Sequence, residues 1–91
     1  MTRVKVIDCK NPIYALFRDD ETEPQCVWAE NRELNLYAFG DTGVEATKDF
    51  QWKFECIVEG YALSDDAYLT DDALVLKRLL RWHLFNEPMN I

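Results

Sequence analysis

The stretch SDDAYLTDDA, residues 64–73, holds four carboxylates in two copies of one unit: Ser64-Asp65-Asp66-Ala67 and Thr70-Asp71-Asp72-Ala73. Clustered carboxylates suggest divalent-cation chemistry first. A calcium loop, however, takes its ligands at alternating positions around a glycine and closes on a glutamate. Here the acids are adjacent pairs with no glycine among them. Magnesium needs one or two carboxylates together with substrate phosphates, and the chain has no glycine-rich loop to cradle a phosphate. Helix capping accounts for the hydroxyls instead. Each Ser or Thr oxygen can accept from the free N–H groups of a first turn, and an aspartate behind it meets the positive end of the helix dipole. Capping leaves one acid of each unit over. No metal ligands and no cofactor are expected.

The other reactive side chains are few. His83 is the only histidine and falls within the apolar arc of the final segment, so it reads as a packed core-edge residue rather than a general base. No GxSxG or HExxH motif accompanies it. Cys9, Cys26 and Cys56 are odd in number and widely spaced, which fits neither a disulfide framework nor a zinc knuckle. Cys56, in the run FECIV, reads as a buried small hydrophobe. A reactive thiol at Cys9 or Cys26 has no feature nearby to lower its pKa. No catalytic residues are assigned, and the chain is expected not to be an enzyme. Trp28, Trp52 and Trp82 read as core anchors. Trp82 lies nearest the margin of an apolar arc, so with Arg78 and Arg81 it is the candidate for self-association or a partner contact.

The chain that must position these groups has 91 residues, enough for a single domain spanning 1–91. No run of about 18 apolar residues and no signal-peptide core occurs, so a cytoplasmic protein is expected. The net charge of −7 is unevenly spread. Residues 1–18 carry +3 and residues 73–91 carry +2, whereas residues 19–72 set fifteen acids against Arg32, Lys48 and Lys53, a net −12. Such a block repels nucleic acids and anionic membranes and attracts basic proteins by fast, salt-sensitive association. The candidate partner-binding acids are Asp19, Asp20, Glu21, Glu23, Glu30, Glu33, Asp41, Glu45, Asp65, Asp66, Asp71 and Asp72.

Hydrophobic patterning predicts an α+β fold. RVKVID (3–8), IYALFR (13–18) and QCVWA (25–29) read as three strands of an antiparallel meander. ENRELNLYAF is open to two readings: Leu34, Leu36 and Ala38 alternate like a strand, while Glu30, Asn31 and Glu33 suit a first helical turn; the helix is preferred, with Gly40 as its C-cap. A second short helix, GVEATKDF, is capped by Asp41 or Thr42. QWKFECIVEG reads as a fourth strand with Trp52, Phe54, Cys56 and Val58 on one face. Thr70 caps a long amphipathic helix, 70–85, that Asn86 and Pro88 stop. One or two short helices and the long one are expected to pack on one face of the sheet.

The short acidic chain, the dense pairs in RDDETE and LSDDAYLTDD, and the lack of a catalytic motif resemble the small acidic early proteins of tailed phages. Among these it most resembles the anti-restriction DNA mimics of the T-even phages. That resemblance implies a non-enzymatic inhibitor that occupies the DNA-binding surface of a host nuclease or another nucleic-acid-binding protein. The basic residues of the last helix depart from a surface that is acidic throughout. They call for burial in a homodimer or a position facing away. Two other readings stand beside it: an adaptor or inhibitor that binds through an apolar helical surface around Trp82, and a small enzyme or ligand-binding domain.

Overall fold

Alternation of inward and outward side chains sets the first half of the chain, as seen in a computed structural model that describes residues 2–19 and 26–88. Strands β1 (Thr2–Ile7), β2 (Ile13–Asp19), β3 (Val27–Asn31) and β4 (Leu36–Gly40) form an antiparallel meander in the order β1-β2-β3-β4. Val6, Ile13, Ala15, Ala29, Leu36 and Ala38 are its buried apolar side chains. The second half is helical: α1 (Gly43–Ile57) runs on through a π-helical segment (Val58–Ala62), a 3-10 turn (Asp66–Tyr68) follows, and α2 (Asp71–Phe85) closes the fold. The architecture is α+β, with both helices built after the sheet.

Two elements differ from the sequence-based expectation. ENRELNLYAF is a hairpin and a strand, not a helix. The Asn31 side chain accepts from the Leu34 N–H at 2.9 Å, and the Asn35 N–H donates to the Arg32 carbonyl at 3.1 Å. Asn35 adopts φ 52°, a left-handed conformation that asparagine tolerates. This turn chemistry sends Leu36 and Ala38 inward as a strand. Gly40 therefore ends β4 and is no helix cap.

QWKFECIVEG, expected as a strand, is helix. Its inward residues follow those of GVEATKDF at helical spacing: Ala46, Phe50 and Phe54 are buried, and Ile57, Val58 and Tyr61 pack partly behind them. The alternation of Trp52, Phe54, Cys56 and Val58 was coincidental, and Trp52 and Cys56 face solvent. The start of α1 is reciprocally capped. Thr42 Oγ1 accepts from the Glu45 N–H at 3.2 Å, and Glu45 Oε2 accepts from the Asp41 N–H at 3.0 Å.

α1 lies across β3 and β4, where Ala29 and Ala38 let Phe50 approach. Gly40 is needed for the same closeness: a Cβ there would stand 2.6 Å from Glu45 Cβ and 2.7 Å from Ala46 N. Because the second contact is backbone, a side-chain shift cannot relieve it. Gly40→Ala is expected to destabilise the fold by about 1–3 kcal/mol, read as a lowered urea midpoint with unchanged m-value; an unchanged midpoint contradicts this packing.

α2 docks at both of its ends. Leu80 is fully buried against the π-helical segment's surroundings. At its C-terminus, Asn11 in the β1–β2 connection clamps the last turn. Its Nδ2 donates to the Trp82 carbonyl at 2.8 Å and to Asn86 Oδ1 at 2.9 Å, and its backbone N–H donates to the His83 carbonyl at 2.9 Å. Asn86 caps the helix in the left-handed region at φ 57°.

Candidate functional site

The expected acidic residues separate into groups. Asp20, Glu21 and Glu23 lie outside the described residues. Asp19 is exposed at the end of β2 and Glu33 is exposed in the β3–β4 turn. Asp41 and Glu45 stand at the start of α1, the Glu45 carboxylate occupied by its cap. Asp65, Asp66, Asp71 and Asp72 come together at the connection into α2. Glu30 does not belong to the acidic surface. It is 4% exposed in the middle of β3, because its strand position points it into the sheet's open face among larger neighbours.

The repeated SDDA/TDDA unit is two caps, with the acids in different roles. Asp65 Oδ1, rather than Ser64, accepts from Ala67 N–H at 3.1 Å to start the 3-10 turn. Thr70 Oγ1 accepts from Ala73 N–H at 3.3 Å to start α2. Asp71 and Asp72 fill the first turn and are exposed. Asp66 accepts from Lys77 Nζ at 2.6 Å. Among the described residues no group of three or more His, Cys, Asp or Glu is arranged to hold a metal ion.

Helical periodicity moves Trp52, which the strand reading of 51–60 set on the face opposite Glu55 and Glu59, to their side. Glu55 and Glu59 share the solvent side of α1 and its π-helical extension with Trp52, which is 63% exposed. Trp52, not Trp82, is therefore the exposed tryptophan. Trp82 is half-buried, edge-on to His83 at 4.8 Å. Residues 41–72 hold nine acids against Lys48 and Lys53, a net −7 equal to that of the whole chain.

The cations of α2 turn inward. Lys77 Nζ also donates to the Ser64 carbonyl at 2.6 Å, and Arg81 donates to the Ala62 carbonyl at 2.9 Å. Both thus meet carbonyls at and just beyond the end of the long helix, where its dipole is negative. Arg81 is further held by Glu87 through two hydrogen bonds, 2.6 and 2.8 Å. It is a strut between the helices, not a free partner contact. Arg78 remains half-exposed. The basic residues that seemed out of place on an acidic protein are in good part internal fittings.

These pairs set the acid sensitivity of the helical seam. The hydrogen bond from Lys77, then its charge, holds Asp66 below the ordinary carboxylate range. The hydrogen bond from Arg81 does the same for Glu87, and Glu87 in turn holds the Arg81 guanidinium up. A carboxyl depressed in the folded state contributes stability above its unfolded value and loses it as pH falls through its folded value. Exchange of the Leu63, Ser64 and Asn86 amides, which donate to the Val58, Tyr61 and Trp82 carbonyls, is therefore expected to be slow at neutral pH. After correction for intrinsic rates it should quicken below the ordinary carboxylate range; equal protection at pH 7 and pH 3 contradicts the role of these pairs.

His83 is 5% exposed, and its Nδ1 lies 2.6 Å from the Asn11 carbonyl, which requires Nδ1 to carry the proton. Nε2 is enclosed with no partner among the described residues. This geometry locks a helix end and leaves no face for proton transfer to a substrate. Burial raises the Cys9 thiol above its usual value, and Asp8 adds to the rise, so Cys9 is not a poised nucleophile. Cys56, expected inside, is exposed on α1. No described helix is long and apolar enough to cross a membrane.

The chain matches no protein-family profile, no curated protein and no solved structure. Its own geometry carries the functional reading.

Proposed function

We propose that the chain is a non-enzymatic acidic inhibitor, a DNA mimic that offers carboxylates to the nucleic-acid-binding surface of a basic host protein in the cytoplasm. One observation carries this reading: residues 41–72 concentrate a charge of −7, while Lys77 and Arg81, the nearest cations of α2, are consumed by backbone carbonyls and by Asp66 and Glu87. Asp41, Glu55, Glu59, Asp65, Asp71 and Asp72 then face solvent with little compensation. Exposed Trp52, on the same helix side as Glu55 and Glu59, is an aromatic anchor of the type that dominates binding energy. Capture from a bacterial lysate at low salt is expected to retain nucleic-acid-binding proteins and to release them at high salt. Retention that ignores salt opposes the reading.

A second reading, an adaptor or homodimer built on an apolar helical surface, is favoured by a different observation. Leu63, Tyr68, Val75 and Phe85 are at least half exposed around α2, Tyr68 at 87%. Binding by this surface would centre on these side chains, with Trp82 and Arg78 at its edge, and would persist at high salt.

A further inference from the structure

Cross-strand register orders the open face of the sheet into three rows: Arg18–Trp28–Phe39, Arg3–Leu16–Glu30–Tyr37, and Lys5–Tyr14. α1 covers the opposite face. Tyr14, Tyr37 and Phe39 are 39%, 42% and 53% exposed, and the Arg3 guanidinium lies 4.6 Å from the centre of the Tyr14 ring. In a chain of charge −7, this face interleaves three cations with four aromatics. Only strand alternation assembles it, so the linear sequence does not display it as a basic patch.

A groove of about 210 Å³ opens on this face, lined by Arg3, Tyr14, Leu16, Glu30, Arg32 and Glu33 among others. Glu30 sits in it 4% exposed, and its Oε1 has no hydrogen-bond partner among the described residues. An unpaired buried carboxylate oxygen costs stability. Arg3 and Arg32 line the same groove yet make no ion pair with Glu30. A ligand that completes the groove would bring N–H donors to Glu30, a flat ring to Tyr14 and Arg3, and an anionic group to Arg3 and Arg32, away from the second carboxylate of the lining, Glu33.

We propose that this groove binds a guanine nucleotide. A carboxylate only accepts hydrogen bonds. Guanine alone among the common bases sets two donors, N1–H and the 2-amino group, side by side on one edge. Adenine and cytosine place a ring acceptor next to the amino group, and uracil flanks its single N–H with two carbonyls. Glu30 takes the guanine edge, the Tyr14–Arg3 pair stacks on the ring, and Arg3 and Arg32, with Lys5 and Arg18 beyond the groove, meet phosphate. A cation alone would leave Arg3 and Arg32 without a partner, and a simple anion would leave Oε1 unpaired.

The test is a titration of the intact chain with GMP, AMP, CMP and UMP, followed by Trp28 amide shifts and by calorimetry. GMP is expected to bind at least about tenfold more tightly than the others. Glu30→Gln replaces an acceptor by a donor, so it should abolish that preference while leaving the common phosphate affinity. Its melting temperature should be no lower than that of the parent, because a buried charge is gone. Arg32→Ala, in an exposed turn, should weaken all four nucleotides alike. Comparing UUGUU and UUUUU oligoribonucleotides separates the sources: a pentamer with one guanine binding about tenfold above GMP assigns the groove to single strands, and parity assigns it to the free nucleotide. Equal affinity for all four bases, or a guanine preference that survives Glu30→Gln, overturns the proposal. Neutralising Asp71 and Asp72 should not move these affinities, so the result stands apart from that of the acidic surface.

Discussion

Phe50→Ala is expected to cost about 3–5 kcal/mol, a large share of the roughly 5–15 kcal/mol that holds a domain together. Among the described residues Phe50 is the largest side chain that is wholly buried. It fills the space between α1 and the sheet that the alanines Ala15, Ala29 and Ala38 leave open, in a core it shares with Phe54, Leu34 and Leu36 and with Phe17 at its margin. Truncation would remove a whole ring from this core and leave a cavity that its neighbours fill only in part. Urea unfolding followed by far-ultraviolet circular dichroism measures the effect. A loss below about 1 kcal/mol would mean that α1 does not bear on the sheet through this residue.

Neutralising Glu55, Glu59, Asp71 and Asp72 together, to Gln and Asn, is expected to reduce partner association by about 10- to 1,000-fold, mostly in the on-rate and mostly at low salt. These four are chosen because none is tied to a lysine or arginine in the fold, unlike Asp66 and Glu87. Asp71 and Asp72 also meet the α2 dipole, so their loss should lower stability by about 0.3–1 kcal/mol each. A thermal melt separates that small cost from a binding loss. Replacing Asp65 or Asp66 instead would confuse the two, since Asp65 caps the 3-10 turn and Asp66 anchors Lys77. Association unchanged in the fourfold variant would remove the acidic side from the interface.

Where local chemistry and tertiary packing agree, the structure is readable from residue types. Thr70, Asp71 and Asp72 announce α2, and the alternation of RVKVID announces β1; both elements lie where the pattern puts them. Asn11-Pro12 marks a turn, although nothing local reveals that Asn11 also clamps the end of α2. The misreadings come from competing periods. Trp52, Phe54, Cys56 and Val58 satisfy a period of two, while Ala46, Phe50 and Phe54 satisfy a longer helical period that begins before the window. In residues 30–35 the polar run looks like a helix start, and only the side-chain bond from Asn31 and the left-handed Asn35 make it a turn.

The site was legible in its sign and not in its membership. The net charge of the central block is plain from residue counts, and four of its acids do gather at the start of α2. Glu30 sits in the same acidic run yet is buried, because register with Leu16 and Tyr37, rather than charge, decides its exposure. The strand reading set Trp52 on the face opposite Glu55 and Glu59, and the three become neighbours on one helix side once the period is 3.6. Lys77 and Arg81 looked like a basic patch. Only the carbonyls of Ala62, at the end of the π-helical segment, and of Ser64, just beyond it, explain their use.

The central claim is that the acidic helical side stands in for nucleic acid, and competition tests it most directly. A nucleic-acid-binding protein captured by the chain is titrated with duplex DNA while both complexes are followed by gel mobility. The account predicts mutually exclusive occupancy: DNA displaces the chain in proportion to its own affinity, and added salt weakens both complexes. A stable ternary complex, with chain and DNA bound to the partner at once, would contradict it.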